Sequence, residues 1–569
     1  MIRLEPIGVF MTILALAVVA TWPLATDISS QLLMSPTRFD GYGTVWLGEH
    51  FCRAFLGDEA WLDSDLVASP FGLDLRLADS FLYGLLFPVL RLGLSASAAF
   101  NAFGLLSITG TGLAGWWLAR RALGTGPLAA MACALTCAFN SAMLNARIEG
   151  EIYLLAAFLL PLFAGLLLQA VERTSLRRGA LAGVALGLLA WSSGYFAIDG
   201  AVIGTCIGIS ALLIHGRGAL KPGVVAILVA VLVAAPVAWM VGSGLEAALE
   251  SRFPSGHDVL ANVAMDSASV SGLFAPYPAT AHLRQGRVTY IGLAPLLFGC
   301  AALVCVPRRR VLPWLSIALT ATVLALGPML RFDDQSSGSI TMPYAWLAWV
   351  SRAWLAYRMP IRFLLVSSLG LGALTALLLE QLRREGLPRT WRFLLLALVG
   401  VDALVMTGST IDHTVTPAAV PVGYDHLSRR GAVLDLWGHD RMLLKYAGLS
   451  AYYQVEHGQP SLADFTRAGD AQSVLSKRLA LALFDEQEER ITELLSLMKG
   501  LGVSDVVLHP GSFVEADALQ LRAALRTRLV LIYAPDDADD VEVFVLPKFI
   551  EAMPAEDAQE QLRMWMDAS

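Results

Sequence analysis

The chain has 569 residues, of which 56% are hydrophobic and only 16% charged. Soluble proteins carry about 25% charged residues, and repeated apolar runs of bilayer length make this a polytopic membrane protein. The formal net charge of -7 excludes a generally basic nucleic-acid binder, and the cysteines form neither a disulfide framework nor a zinc-ligand spacing.

The first apolar run, residues 6–25, is long enough to span and is followed by no clear small-x-small cleavage site, so it reads as a retained span. An acidic stretch, residues 27–79, comes next. Within it Trp46, Leu47, Phe51, Phe55 and Leu56 recur at helical spacing, as expected of a helix lying in the bilayer interface. Residues 27–96 are therefore read as a large first external loop with interfacial helices. The apolar stretch 81–94 is too short and interrupted to cross and is read as partly inserted on the same side. Ten further runs follow, at 98–119, 127–144, 152–171, 180–194, 197–214, 224–241, 291–306, 311–330, 363–382 and 393–406. With the first they predict about eleven crossings.

Charge sorts the connections. One set carries Arg120 and Arg121, then Arg173, Arg177 and Arg178, then Arg217 and Lys221, then Arg308 to Arg310, then Arg383, Arg384, Arg389 and Arg392. Positive-inside logic puts these in the cytoplasm, with the N-terminus, and the acidic loop, the NARIEGE and SSGYFAID turns and the long 244–290 loop outside. Everything after Met406 then lies outside. Residues 407–569 carry charge freely and hold β-like runs at 503–509 and 528–534 with helical patterns at 485–502 and 513–528, which predicts a small α/β domain. The expected fold is a mainly α polytopic membrane protein, with a transmembrane domain at 1–406 and an extracytoplasmic α/β domain at 407–569.

The ionisable groups of interest collect on the external side. The first loop offers Asp40, Glu49, Asp63, Asp65, Asp74 and Asp79. Later turns add Arg147, Glu149, Glu151, Tyr195 and Asp199, and the long loop adds His257 and His282. The run 343–363 supplies Arg352, Arg358 and Arg362 among Trp346, Trp349, Trp354 and Tyr357. Acids facing arginines and aromatics suit transfer from an anionic lipid-linked donor. A carboxylate would deprotonate an acceptor hydroxyl while guanidinium groups hold the departing phosphate. Blander readings stand beside this one. Asp63 and Asp65 offer hard oxygen ligands to a divalent cation, and the arginines could anchor helix ends by snorkelling. Asp402 lies within the last span, where a carboxylate is expensive.

In their order these features resemble the bacterial membrane glycosyltransferases of the GT-C fold, in particular the YfhO-like branch. The likeness is carried by FDGYGTVW, by WLDSDLVASPFGLDLRLADSFLYGLLFPVL, by FGLLSITGTGLAGWWLARRAL and by RIEGEIYLLAAFLLPL. Further along, RVTYIGLAPLLF, YRMPIRFLLV and LLSLMKGLGVSDVVLH also match. The resemblance implies that Asp40 is the catalytic base and that Asp65, Asp79, Glu151, Tyr290, Arg358 and Arg362 contact substrate. Glu151 stands where the family's turn commonly reads Gly-His. The implied reaction moves a sugar from a polyprenyl-phosphate carrier to an extracytoplasmic lipid, glycan or protein acceptor at the bacterial cytoplasmic membrane. The implied partners are that lipid-linked sugar and membrane lipid, with no nucleic acid. No cofactor is required by this reading, a divalent cation being the one alternative. A transporter or flippase of a lipid-linked saccharide is the runner-up, although no half-to-half similarity is evident. A non-catalytic envelope assembly protein is the third reading. No P-loop, dinucleotide fingerprint, H-E-x-x-H or G-x-S-x-G motif is present.

Overall fold

The computed structural model describes residues 5–35, 38, 40–76, 80–252, 256–276, 287–333, 340–351, 354, 357–408, 415–438, 443–464, 470–535 and 541–567. The chain forms two compact units. The first comprises Met1–Ile28, Leu77–Leu86 and Ala99–Val415, and the second Ser29–Arg76, Phe87–Ala98 and Thr416–Ser569.

The first unit is helical, and every apolar run that the sequence marks out folds as helix. The elements are Glu5–Ala20, Ala96–Trp117, Pro127–Ala138 with Ser141–Glu149, Leu159–Glu172, Leu176–Ser192, Gly194–His215, Leu220–Arg252, Leu293–Cys305, Arg308–Ala325, Leu364–Arg384 and Arg389–Gly408. Among the described residues, five helical segments are long and apolar enough to cross a membrane: Ala96–Ala122, Pro127–Glu149, Ile152–Glu172, Gly194–Gly242 and Pro360–Arg384. An apolar 18-residue stretch of the last is entirely buried inside the protein, whereas only 17% of the corresponding stretch in Gly194–Gly242 is buried. A helix apolar all round is either a core helix or a lipid-facing one, and the two segments illustrate the two cases. Phe81–Arg91 has 11 residues and an internal Pro88. At about 1.5 Å per residue it is far shorter than a hydrocarbon core of about 30 Å.

The described residues of the long connection expected at 244–290 are instead largely helical. Leu220–Arg252 runs on past Gly244, and Gly256–Met265 and Val270–Phe274 follow. Apolar-run length marked where hydrophobicity stops, and a helix continues for as long as its backbone bonds are satisfied.

Leu176–Ser192 lies against Leu220–Arg252 through Gly179, Gly183 and Gly187. A Cβ at Gly183 would stand 2.4 Å from the Ala226 carbonyl oxygen, and one at Gly179 2.5 Å from that of Pro222. Small residues at this spacing let two helix backbones touch. Gly183→Ala is expected to lower the stability of the purified protein by about 1–3 kcal/mol through overpacking, read as a fall in thermal midpoint. Gly208→Ala, where an added methyl meets nothing within 4 Å, serves as the control.

The second unit is built on a four-stranded sheet. Ala432–Leu436 pairs in parallel with Val503–Leu508, and Glu542–Val545 pairs antiparallel with both Val503–Leu508 and Val530–Tyr533. The parallel pair needs a long crossover, supplied by the helices Leu443–His457, Ala471–Phe484 and Glu488–Gly500. Leu434, Leu475, Leu497, Val506 and Phe544 are completely buried between sheet and helices.

The acidic first loop belongs to this unit. Gln31–Leu32 pairs with Thr416–Pro417. The amides of Ala68 and Ser69 donate to the carbonyls of Ala463 and Ser461 at 2.9 and 3.0 Å, and the Ser461 amide donates back to Leu66 at 2.9 Å. The loop and the C-terminal region, read from sequence as parts of different domains, thus pack together. The interfacial-helix expectation is corrected in the same way. Asp40–Leu56 is helical, but Trp46 and Phe51 are completely buried and Leu47 nearly so. The Trp46 indole donates to Gln454 Oε1 at 2.9 Å, and Tyr42 meets Tyr452 at a ring separation of 5.4 Å. The apolar face is covered by the Leu443–His457 helix, and only Phe55 and Leu56 at its end stay exposed.

Candidate active site

Three turns of the first unit converge on one cluster. In the first, Asn140 caps the Ser141–Glu149 helix by accepting the Met143 amide at 3.1 Å. Gly150 then ends it at φ 79°, a left-handed conformation that glycine adopts without steric cost. Glu149 and Glu151 flank that turn. In the second, Ser193 breaks the chain between two helices and accepts the Tyr195 amide at 3.1 Å, which sets Tyr195 and Asp199 in the opening turns of Gly194–His215. In the third, the Pro360–Phe363 turn carries Arg362 into Leu364–Arg384.

Arg362 Nη2 stands 2.5 Å from both carboxylate oxygens of Glu151, and its guanidinium lies over the Tyr195 ring at 4.0 Å. Tyr357 donates to Asp199 Oδ1 at 3.0 Å and stacks on Phe363 at 4.2 Å. Burial, then the neighbouring Asp199, push the Tyr357 phenol well above its ordinary range, so it stays a proton donor. Asp199 is 1% exposed, and its Oδ2 has no hydrogen-bond partner among the described residues. Glu149, Glu151, Tyr195, Asp199 and Arg362 line a cavity of about 30 Å³, enough room for water. Arg287 bridges Asp266 and Glu149 beside it, and the Asp266 carbonyl accepts the Ile361 amide at 3.3 Å, which ties this second ion pair to the Arg362 turn.

A buried ion pair is costly to desolvate and holds only when its geometry is good. A planar guanidinium backed by an aromatic face suits a phosphate oxygen as well as a carboxylate. The cluster can therefore exchange an internal partner, Glu151, for an anionic headgroup, while Asp199 keeps an unused acceptor oxygen close by.

The other residues singled out from sequence lie elsewhere. Asp40 is exposed, at the first position of the Asp40–Leu56 helix in the second unit, and does not line this cavity. Asp65 is exposed too, in the hairpin formed by Asp63–Ser64 and Leu73–Asp74. Asp63 and Asp65 flank Ser64, whose hydroxyl donates to Glu59 at 2.8 Å. No group of three or more metal-capable side chains occurs among the described residues. Asp79, Arg352 and His282 lie outside the described residues, and so does the side chain of His257. Tyr290, expected to touch substrate, donates its hydroxyl to Asp402 at 2.6 Å and accepts the Leu293 amide at 2.8 Å. That supplies the partner which Asp402 needs inside an apolar helix. Arg358 is exposed and does not line the cavity. Of the expected set, the structure brings Glu151 and Arg362 together. It adds Tyr195, Asp199 and Tyr357, which the sequence lists only as neighbours; the available signal was a carboxylate, Asp199, inside an apolar run.

The second unit holds a separate polar network. Tyr424 donates to Asp435 Oδ1 at 2.5 Å, and His509 Nε2 lies 3.1 Å from the same oxygen. Burial works to raise the Asp435 carboxyl, but bonding from His509, Ser450 and Tyr424 prevails and holds it below the usual carboxylate range. His457 stacks on Tyr424 at 5.3 Å. Its Nδ1 accepts the Gln459 amide at 3.1 Å, so the neutral ring carries its proton on Nε2. Burial pushes this imidazole down to about 4. Between that value and its ordinary 6.5 the unfolded chain binds the proton and the folded one does not, so the His457 contribution to stability is lost as pH falls through this window. Relative to wild type, His457→Phe should flatten the dependence of thermal midpoint on pH between about 6.5 and 4; parallel curves would count against it.

No protein-family model matches the chain, and no curated protein sequence matches it. Solved structures do. The archaeal oligosaccharyltransferase AglB from Archaeoglobus fulgidus, in complex with an inhibitory peptide and a dolichol-phosphate, superposes with a TM-score of 0.53 at 13% identity, covering 96% of this chain and 74% of AglB. ArnT from Cupriavidus metallidurans, bound to undecaprenyl phosphate, gives 0.51 at 13% identity over 96% of this chain and 99% of ArnT. The arabinofuranosyltransferase AftD from Mycobacteria gives 0.54 at 16% identity over 96% of this chain. The chain spans only 42% of AftD. At these identities the likeness shows the fold alone, which this chain shares with those three proteins.

Proposed function

We propose that the protein is a GT-C-type membrane glycosyltransferase that moves a sugar from a polyprenyl-phosphate carrier to a lipid, glycan or protein acceptor outside the cytoplasmic membrane. The observation that carries this reading is the likeness in fold, over 96% of this chain, to two proteins seen with polyprenyl phosphates: AglB with dolichol-phosphate and ArnT with undecaprenyl phosphate. The Glu151–Arg362–Tyr195 cluster supports it chemically. On this reading Arg362 takes the donor phosphate, releasing Glu151. A carboxylate accepts the acceptor's proton as the new bond forms at the anomeric carbon. The old bond to phosphate oxygen breaks, and the polyprenyl phosphate departs with the electron pair, its charge stabilised by the guanidinium. The YfhO-like branch, the eleven crossings, the cytoplasmic N-terminus, the bacterial inner membrane and the external position of residues 407–569 belong to the same proposal and rest on the sequence pattern.

The test is a transfer assay with the purified protein in lipid and a panel of polyprenyl-phosphate-linked sugars. Release of polyprenyl phosphate with formation of a glycosylated acceptor supports the reading. Movement of the intact lipid-linked sugar between leaflets without bond cleavage would replace it with a flippase.

A further inference from the structure

The second unit contains a cavity of about 300 Å³, bounded among others by Tyr424, Asp425, Arg429, Glu456, His457 and Gln459. None of these residues lines the Glu151–Arg362 cavity, and the transferase reading uses none of them. The volume falls at the lower end of the range of about 300–1,000 Å³ in which proteins hold small molecules. Gln459 is 7% exposed, and neither its Oε1 nor its Nε2 has a hydrogen-bond partner among the described residues. A buried amide left unbonded at both ends costs stability and calls for an explanation. His457 Nε2, the protonated nitrogen of the neutral ring, is likewise buried and unpartnered. Both residues border the cavity, but these atoms are themselves covered in this structure, so a ligand meets them only after the side-chain ends turn toward it. Around its mouth stand the exposed side chains of Asp425, Glu456 and Arg429, the last with its backbone at φ 56°, where a non-glycine residue is strained.

We propose that this cavity is a binding site for a neutral sugar ring. A ring of vicinal hydroxyls donates and accepts at neighbouring positions, which is what an amide, an imidazole N–H, two carboxylates and a guanidinium together require. The terminal torsion of a glutamine is soft, so the Gln459 head turns toward a bound hydroxyl at little cost. An anion such as phosphate is disfavoured, since two carboxylates outnumber the one guanidinium and the imidazole is neutral. A metal ion is disfavoured because no group of three or more metal-capable side chains occurs among the described residues.

The experiment titrates the full chain in lipid nanodiscs with free glucose, galactose, mannose, arabinose and N-acetylglucosamine, followed by saturation-transfer NMR and calorimetry. No lipid-linked donor is present, so the outcome is independent of whether the protein transfers sugar. At least one sugar should saturate at millimolar concentration. Gln459→Met, which keeps the volume and removes both unbonded atoms, should weaken that binding by about tenfold or more while leaving the thermal midpoint equal or higher. Glu456→Gln, at an exposed position, should weaken it with the fold intact. Saturation by none of the sugars overturns the proposal. So does unchanged affinity in Gln459→Met, or tighter binding of inorganic phosphate or a short peptide at the same residues.

Discussion

Arg362→Leu is expected to reduce transfer by two to three orders of magnitude, about what removal of one donor from a developing oxyanion costs. The fold should suffer as well. Glu151 loses its bidentate partner at 2.5 Å while remaining largely enclosed, with its side chain 12% exposed. Leaving such a carboxylate uncompensated costs about 3–5 kcal/mol. The two effects separate in the double variant Glu151→Gln with Arg362→Leu, in which the stranded charge is gone. Its thermal midpoint should return most of the way to wild type while transfer stays lost. Recovery of transfer in that double variant would show that Arg362 serves the fold alone. Arg362→Lys is a finer probe. It keeps the charge but forfeits the planar stack over Tyr195 at 4.0 Å, and it should lose most of the activity too.

Asp40→Asn carries the other large expectation: a fall in turnover of about 10²–10⁴, the usual worth of a general base. Its structural cost should be small. Asp40 is exposed at the first position of its helix, so the change removes one favourable charge from a helix N-terminus, about 0.3–1 kcal/mol. Expression, membrane insertion and thermal midpoint should therefore match wild type while transfer disappears. Normal transfer by the purified, lipid-reconstituted variant would end the case for Asp40 and move attention to Asp199, whose Oδ2 has no hydrogen-bond partner among the described residues.

Much of the architecture was legible from residues alone. Apolar runs near 20 residues located the long helices of the first unit, because hydrophobic length is a local property of the chain, but not the short helices Gly256–Met265, Val270–Phe274 and Pro343–Val350. The alternation at 503–509 and the glycines after the preceding helix located the strand Val503–Leu508 in the same way. The strand Ala432–Leu436 escaped notice, since it is buried at every position and a short continuous apolar run carries no period to read. Arg362 and Glu151 were both candidates, on the chemistry of arginine and carboxylate near a phosphate.

What covers each apolar face and which charges meet was decided only in three dimensions. Trp46, Leu47 and Phe51 have the spacing of a helix lying on a bilayer, and they pack instead against a helix some 400 positions away, as the Trp46–Gln454 bond records. Periodicity reveals that a face is apolar and is silent on its partner, because lipid tails and leucine side chains are equally apolar. The same holds for the charged groups. Glu151 and Arg362 are 211 positions apart, and Asp199 and Tyr357 are 158 apart. Nothing local couples them; the packing of the helices that carry them does. Sequence by itself therefore determined where the helices run and which residue types could bind an anionic lipid, and the tertiary structure decided which of those residues share one buried cavity.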